Sequence, residues 1–164
     1  MEKDAEKNCS FSRGNNRFRY RACAIIIEDG CVLMATNEAV DYYYSVGGAV
    51  HLGETATQAV VREVFEETGL YYEVDRLAFV HENLFQDDET KGSLKGLACH
   101  EIAFYFLMKP RGMQEITAKS FCIDGEEFMK WMPLGELKNI KAYPSFYAQK
   151  LLNLPDGVEH IVSN

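Results

Sequence analysis

Three glutamates, Glu63, Glu66 and Glu67, stand at i, i+3 and i+4 within the segment GETATQAVVREVFEETGL. That spacing puts all three carboxylates on one side of a helix. Local rules count against the arrangement. Glu63 and Glu67 are like charges one turn apart, which costs about 0.2–0.5 kcal/mol. Glu66 and Glu67 also fall in the last turn, where the helix dipole favours cations, and each anion there costs about 0.3–1 kcal/mol. A local rule broken without visible compensation marks a place where function is expected, and a divalent cation would remove the repulsion. Oxygen-only donors suit Mg2+ or Mn2+ rather than zinc, and Mg2+ is typically held by a few carboxylates together with substrate phosphates. A small phosphate-bearing molecule is therefore the natural partner. The same charges would also make an ordinary solvated acidic face, so the flanking residues have to decide.

A second group with chemical potential lies earlier in the chain. Arg17, Arg19 and Arg21 alternate with Phe18, Tyr20 and Ala22, and on a strand this period of two aligns the three guanidiniums on one face. Such a stripe would receive phosphates or, equally, protect a sheet edge with charge. Tyr42, Tyr43, Tyr44, Phe85 and Tyr105 are available to stack on a base, although sheet packing explains aromatics as well. The five cysteines, Cys9, Cys23, Cys31, Cys99 and Cys122, are odd in number and contain no C-x-x-C pair. That argues against a disulfide framework or a zinc site and for small core side chains.

These side chains need a frame. The run FRYRACAIII from Phe18, the turn Glu28-Asp29-Gly30, and the run from Cys31 to Ala35 read as a hairpin. Tyr42 to Val46 is a short strand candidate ended by Gly47-Gly48. A helix is expected from Thr55 to Thr68, with Thr55 and Gln58 as a capping box and Gly69 just past its end. Val60, Val61, Val64 and Phe65 form an apolar arc expected to face a sheet, opposite the glutamates. Long strands follow at Tyr71–Leu84 and Leu97–Met108, separated by the polar stretch Gln86–Lys95. A short strand is expected near Phe128–Trp131, and a last helix from about Ser145 to Leu152. The pattern is α/β or α+β, a mixed sheet with helices on its faces. It divides into an N-terminal tail or leading strand over residues 1–17, one domain over 18–155, and a C-terminal tail over 156–164.

Composition narrows the function classes. The chain has 164 residues, 47% hydrophobic and 26% charged, within the range of one globular domain. A net charge of −8 repels nucleic-acid backbones and disfavours long DNA or RNA as a partner. No apolar run approaches the ~18–20 residues that cross a bilayer, and the charged start MEKDAEKN has no apolar stretch behind it. Cytoplasmic location with no membrane partner is the expectation.

The segment from Gly48 to Leu70 then becomes specific. Gly48, five residues, Glu54, seven residues, and Arg62-Glu63-Val64-x-Glu66-Glu67-x-Gly69-Leu70 fill nine defined sites over 23 residues. In this the chain resembles the Nudix hydrolases, and the preceding hairpin and the late Trp131-x-Pro133-Leu134 extend the likeness over residues 18 to 155. The resemblance implies a Nudix fold, a mixed β-sheet sandwiched between helices. It also implies an enzyme acting on acid anhydrides, a Mg2+- or Mn2+-dependent pyrophosphohydrolase cleaving a nucleoside diphosphate linked to another moiety. By the same resemblance Glu63 and Glu67 would be primary metal ligands, with Glu66 close by and the Gly47 backbone carbonyl contributing. Arg62 would orient the carboxylates, and Glu54, with Gly48 and Gly69, would serve the structure of the loop and helix. The base that takes the proton of the attacking water would be Glu63 or a carboxylate outside the segment: Glu82, Glu101 or the run Asp87-Asp88-Glu89. Arg17, Arg19, Arg21 and Glu82 are the substrate-binding candidates. Val46 stands where proline is frequent, and His51-Leu52 where Glu-Pro is often seen. Two other readings stay open: a nucleotide-sensing module without turnover, and an isomerase of a prenyl diphosphate using Cys23 or Cys99. Many such proteins dimerise, so a homodimer is compatible with the resemblance.

Overall fold

The computed structural model describes residues 7–86 and 94–164. The acidic run Asp87-Asp88-Glu89 lies outside the described residues. Asp29 and Gly30 both have positive φ, 50° and 72°, which is the backbone a two-residue hairpin turn needs. Around it Glu28 pairs with Cys31 and Ile27 with Val32, so the expected hairpin forms. Its first arm is broken, however. Strand β2 (Asn16–Ile25) stops one residue before β3 (Ile27–Glu28). β2 itself pairs with β5 (Tyr43–Ala49) and β7 (Ala98–Met108), not with β4 (Cys31–Asn37).

The remaining strands are β1 (Ser10–Arg13), β6 (Val74–Gln86), β8 (Ser120–Cys122), β9 (Gly125–Pro133), β10 (Ala142–Tyr143) and β11 (Glu159–Ser163). The sheet runs β11-β6-β7-β2-β5-β4-β9-β8 and is mixed: β2–β7 and β11–β6 are parallel, while β6–β7, β2–β5, β4–β5, β4–β9 and β8–β9 are antiparallel. Residues 156–164, expected as a tail, thus contribute a strand whose Ile161 lies opposite His81.

Each face of the sheet carries its own core. Helix α1 (Ala56–Thr68) lies over one, against Ala22, Ala24, Leu33 and Val46. The other is covered by a 3-10 turn (Leu134–Asn139) and a short α2 (Tyr147–Lys150), packed on Cys23, Ile25, Val32 and Tyr105. The helix expected from Ser145 to Leu152 is one hydrogen-bonded turn. Its flanking residues Phe146 and Leu151 keep helical dihedrals, but the span between Pro144 and Pro155 is too short for a helix to recover its nucleation cost.

Helix α1 obeys its boundary signals. Thr55 Oγ1 accepts from Gln58 N at 3.2 Å and Gln58 Oε1 accepts from Thr55 N at 2.9 Å. Gly69, at φ 75°, closes the helix by donating its N–H to Phe65 O. The buried stripe differs from the expected arc: it is Ala56, Ala59, Val60, Val64, Glu67 and Thr68. Phe65 is instead 40% exposed and stacks on Tyr71 at 4.2 Å. The reason is geometric. Glu63 lies three residues after Val60 and Glu67 three after Val64, so both carboxylates ride the edge of the sheet-facing stripe rather than the opposite side.

His81 on β6 is 3% exposed, 2.9 Å from Ser163 Oγ through Nε2, and edge-on to Phe146. Burial pushes its pKa below the ordinary histidine value, Arg21 adding to the effect and Glu101 opposing it. The unfolded chain therefore takes up this proton more readily than the folded one, so stability falls as pH drops below about 6.5. Melting temperatures of His81→Gln should fall less steeply between pH 7 and pH 5 than those of the unsubstituted protein. An unchanged slope would remove His81 as its cause.

Candidate active site

The site forms where β5 loses one neighbour. β4 pairs with β5 only at Met34↔Ser45 and Ala35↔Tyr44, so beyond Ser45 that edge of β5 is open. Gly47 sits there with φ 131°. A Cβ on it would lie 2.3 Å from Ala22 O and 2.7 Å from Cys23 Cα, so only glycine lets β5 approach β2 this closely. Its N–H turns to the helix and donates to Glu67 Oε1 at 3.1 Å. Gly48 makes the matching space for Glu63, whose carboxylate would be 2.5 Å from a Cβ at that position.

Glu67 is 6% exposed, and its second oxygen, Oε2, is buried with no hydrogen-bond partner. Burial, then the like charges of Glu127 and Glu63, hold its pKa well above the usual carboxylate range. Glu63 is raised too, by burial first, with Arg62 opposing. An orphaned buried carboxylate oxygen costs free energy unless a hydrogen-bond donor or a cation meets it.

Arg62 organises the surroundings. Its Nε and Nη2 donate to the two oxygens of Glu54 at 2.9 and 3.0 Å, and Nη2 also donates to Ala49 O at 3.0 Å. Nη1 donates to Glu63 Oε1 at 2.7 Å and Glu66 Oε2 at 3.2 Å. Glu54 Oε2 additionally accepts from His51 N at 3.0 Å. One planar fork thus ties the 49–54 loop to α1 and fixes one oxygen of Glu63. Glu66 stays on the rim, its side chain 55% exposed. Arg62→Lys keeps the charge but not the fork. It should cost about 2 kcal/mol in urea unfolding and about 10–100-fold in turnover through the loosened Glu63. Wild-type values in both measurements would refute this role.

The donor set is carboxylate and carbonyl oxygen throughout, which fits a hard divalent cation. Among the described residues no three His, Cys, Asp or Glu side chains cluster closely enough to hold an ion by themselves. Glu63, Glu67 and the Gly47 carbonyl would fill only part of a coordination sphere, as suits an ion that keeps water and substrate phosphate in the rest.

The other expected residues divide. Arg19 and Arg21 flank Glu101, each 3.7 Å from it, and Arg21 Nη2 donates to Gly47 O at 3.5 Å. Burial and the like charge of Arg21 push Arg19 down to about 10, still a cation at neutral pH. Arg17 lies four residues back along β2, opposite Cys99, about 13 Å from Arg21 by strand rise. Glu82 is not brought to the helix glutamates: it accepts from His160 at 2.7 Å, on a strand separated from β5 by β7 and β2. His51 is half-buried beside Glu54. Cys23 and Cys99 are buried thiols.

Sequence reasoning missed Glu127. It lies on β9 opposite Ser120, accepting from Tyr44 OH at 2.6 Å and from Ser120 Oγ at 2.7 Å. β8 is brought to the end of α1 by Thr117 and Ala118, whose N–H groups both donate to Thr68 O. Glu127 thereby acts on Glu67 together with Glu63. A signal existed. Glu127, Met129 and Trp131 share one strand face, and the last two pack on the α1-side core. A carboxylate in such a row breaks the apolar pattern.

Comparison with known proteins identifies a family. The family described as NUDIX domain matches residues 17–152. A MutT-like protein of Streptomyces ambofaciens is 30% identical over 136 residues, covering 83% of this chain and 75% of that protein. Among solved structures, the MutT protein from Bacillus halodurans superposes with a TM-score of 0.65 at 18% identity, covering 87% of this chain and 86% of that one. An ADP-ribose pyrophosphatase from Streptococcus suis superposes with a TM-score of 0.55 at 15% identity, over 88% and 98% of the two chains. No helix among the described residues is long and apolar enough to cross a membrane.

Proposed function

The chain belongs to the NUDIX domain family, and from that premise we propose that it hydrolyses the phosphoanhydride bond of a small nucleotide-like diphosphate with Mg2+ or Mn2+. The observation that carries the proposal is the buried Glu67, one oxygen on Gly47 N and the other unpartnered, at the open edge of β5 with Glu63 beside it. A divalent cation held there would answer the buried charge, which is what supports the reading.

In this reading Glu67, Glu63 and the Gly47 carbonyl hold the ion, with Glu66 at the rim. Held by these residues, Mg2+ or Mn2+ would supply neutralisation of the diphosphate oxygens and a lowered pKa of a coordinated water. Glu63 takes the proton of the attacking water. Arg62 pins Glu63 Oε1, and burial raises the pKa of Glu63 above the usual carboxylate value, with Arg62 opposing. The anhydride P–O bond breaks as the water oxygen bonds to phosphorus, and the leaving oxygen departs with the electron pair. Arg21 lies beside Gly47, and Arg19 joins it through Glu101, to receive the negative charge. Glu101 is engaged by two guanidiniums and Glu82 by His160.

The test is a panel of nucleoside triphosphates, dinucleoside polyphosphates and nucleotide sugars assayed for phosphorylated product with Mg2+, with Mn2+ and with EDTA. Cation-dependent turnover of at least one is expected. Binding without turnover across the panel would replace the hydrolase with a nucleotide sensor.

A further inference from the structure

The two inner arginines of β2 differ from Arg62 in one respect. Every nitrogen of Arg62 meets an oxygen of the protein. Arg19 and Arg21 share a single carboxylate, Glu101, at 3.7 Å from each, beyond hydrogen-bonding distance. Both Nε atoms are buried with no hydrogen-bond partner. Their side chains are only 24% and 14% exposed, and that of Glu101 8%. Glu101 is the one carboxylate within ion-pair distance of both guanidiniums; Glu67 and Glu63 act on Arg21 and Arg19 from farther off, and neither buried Nε has an acceptor. A buried cation in that state calls for an anion.

The position says which anion. Arg21 reaches the carbonyl of Gly47, the residue whose N–H is held by Glu67. The pair therefore adjoins the carboxylates assigned to the scissile diphosphate, one strand across. We infer that Arg19, Glu101 and Arg21 form a phosphate-receiving subsite that selects substrates with a charged phosphate beyond the scissile bond, as in nucleoside triphosphates and dinucleoside polyphosphates, over those carrying an uncharged sugar there. This rests on the hydrolase reading for the placement of the scissile group. A sugar hydroxyl brings the orphaned Nε groups no charge; a phosphate brings charged acceptors in the geometry a guanidinium prefers. Glu101 is then a specificity-determining residue. At 3.7 Å it acts through charge rather than through fixed hydrogen bonds, and it sets how much positive charge the subsite shows.

The experiment measures binding of inorganic tripolyphosphate in EDTA by titration calorimetry, which needs neither metal nor turnover. Arg19→Gln should weaken binding about tenfold and Glu101→Gln should tighten it about tenfold; Lys138→Gln is the control. A misfolded variant cannot bind more tightly, so the Glu101→Gln arm stands even if Arg19→Gln is damaged. No binding to the unsubstituted protein, or Glu101→Gln at or below its affinity, overturns the subsite. In the presence of Mg2+, the kcat/KM ratio of nucleoside triphosphate over nucleotide sugar should fall in Arg19→Gln and rise in Glu101→Gln. An unmoved ratio overturns the selection. Failure of every substrate to turn over, with the tripolyphosphate shifts intact, would strike the hydrolase reading and spare the subsite.

Discussion

Replacing Glu67 by glutamine is expected to lower turnover about a thousandfold, in line with the loss of one preorganised charge at a reacting centre, while the fold is kept. Glutamine has nearly the same shape, and its carbonyl oxygen can still accept from Gly47 N, the bond now made by Glu67 Oε1 at 3.1 Å. What disappears is the negative charge. That charge is disfavoured in the metal-free protein, since burial holds the pKa of Glu67 well above the usual carboxylate range, with Glu127 and Glu63 adding to it. The sign follows directly. A carboxyl group whose folded pKa is raised gives up stability as pH climbs past its unfolded value of about 4.3. Near pH 7 and in EDTA, Glu67→Gln should therefore melt at or above the temperature of the unsubstituted protein. Mn2+ should raise the melting temperature of the unsubstituted protein and leave that of the variant nearly unmoved. Equal Mn2+ stabilisation of both proteins would mean that the ion binds elsewhere.

Gly47→Ala should produce the largest loss of stability, about 3–5 kcal/mol by urea denaturation. Two penalties add. The φ of 131° lies where side chains rarely go, which costs about 1–3 kcal/mol. The new Cβ also meets Ala22 O at 2.3 Å and Cys23 Cα at 2.7 Å. Both are backbone atoms of β2 in the middle of the sheet, so no side chain can rotate aside. Gly48→Ala makes the instructive contrast. Its Cβ would strike the Glu63 carboxylate at 2.5 Å, the mobile end of a side chain. That variant should fold and lose activity because Glu63 is displaced. If Gly47→Ala unfolds at the same urea concentration as the parent, the close approach of β5 to β2 is not what glycine serves there.

Much of the site was legible because it is local. Thr55, Gln58 and Gly69 announce α1 through hydrogen bonds that span three or four residues, and the spacing of Glu63, Glu66 and Glu67 follows from the helical repeat. The segment Gly48 to Leu70 also fixes the role of Arg62, since all its partners lie between Ala49 and Glu66. The face on which the glutamates ride was misjudged for a physical reason. Val61 and Phe65 are as apolar as Val60 and Val64, and hydrophobicity alone does not say which flank of a helix meets the sheet. The structure buries Ala59 and Val64 and leaves Phe65 to stack on Tyr71 at the surface.

Residues far apart in the chain were another matter. Arg21 and Glu101 are brought together by parallel pairing of β2 with β7, and Glu127 reaches Glu67 because two residues before β8 cap the end of α1. Glu82, equal to Glu101 as a candidate by composition, went to the outer part of the sheet and was taken by His160. By itself, then, the sequence determined the helix, its caps, the carboxylate spacing and the family to which they belong, all set by contacts within about two dozen residues. Only the tertiary structure decided which distant charges join them. Strand order and register depend on the burial of the whole sheet, and a shift of one residue in register would turn Arg19, Arg21 and Glu101 to the opposite face.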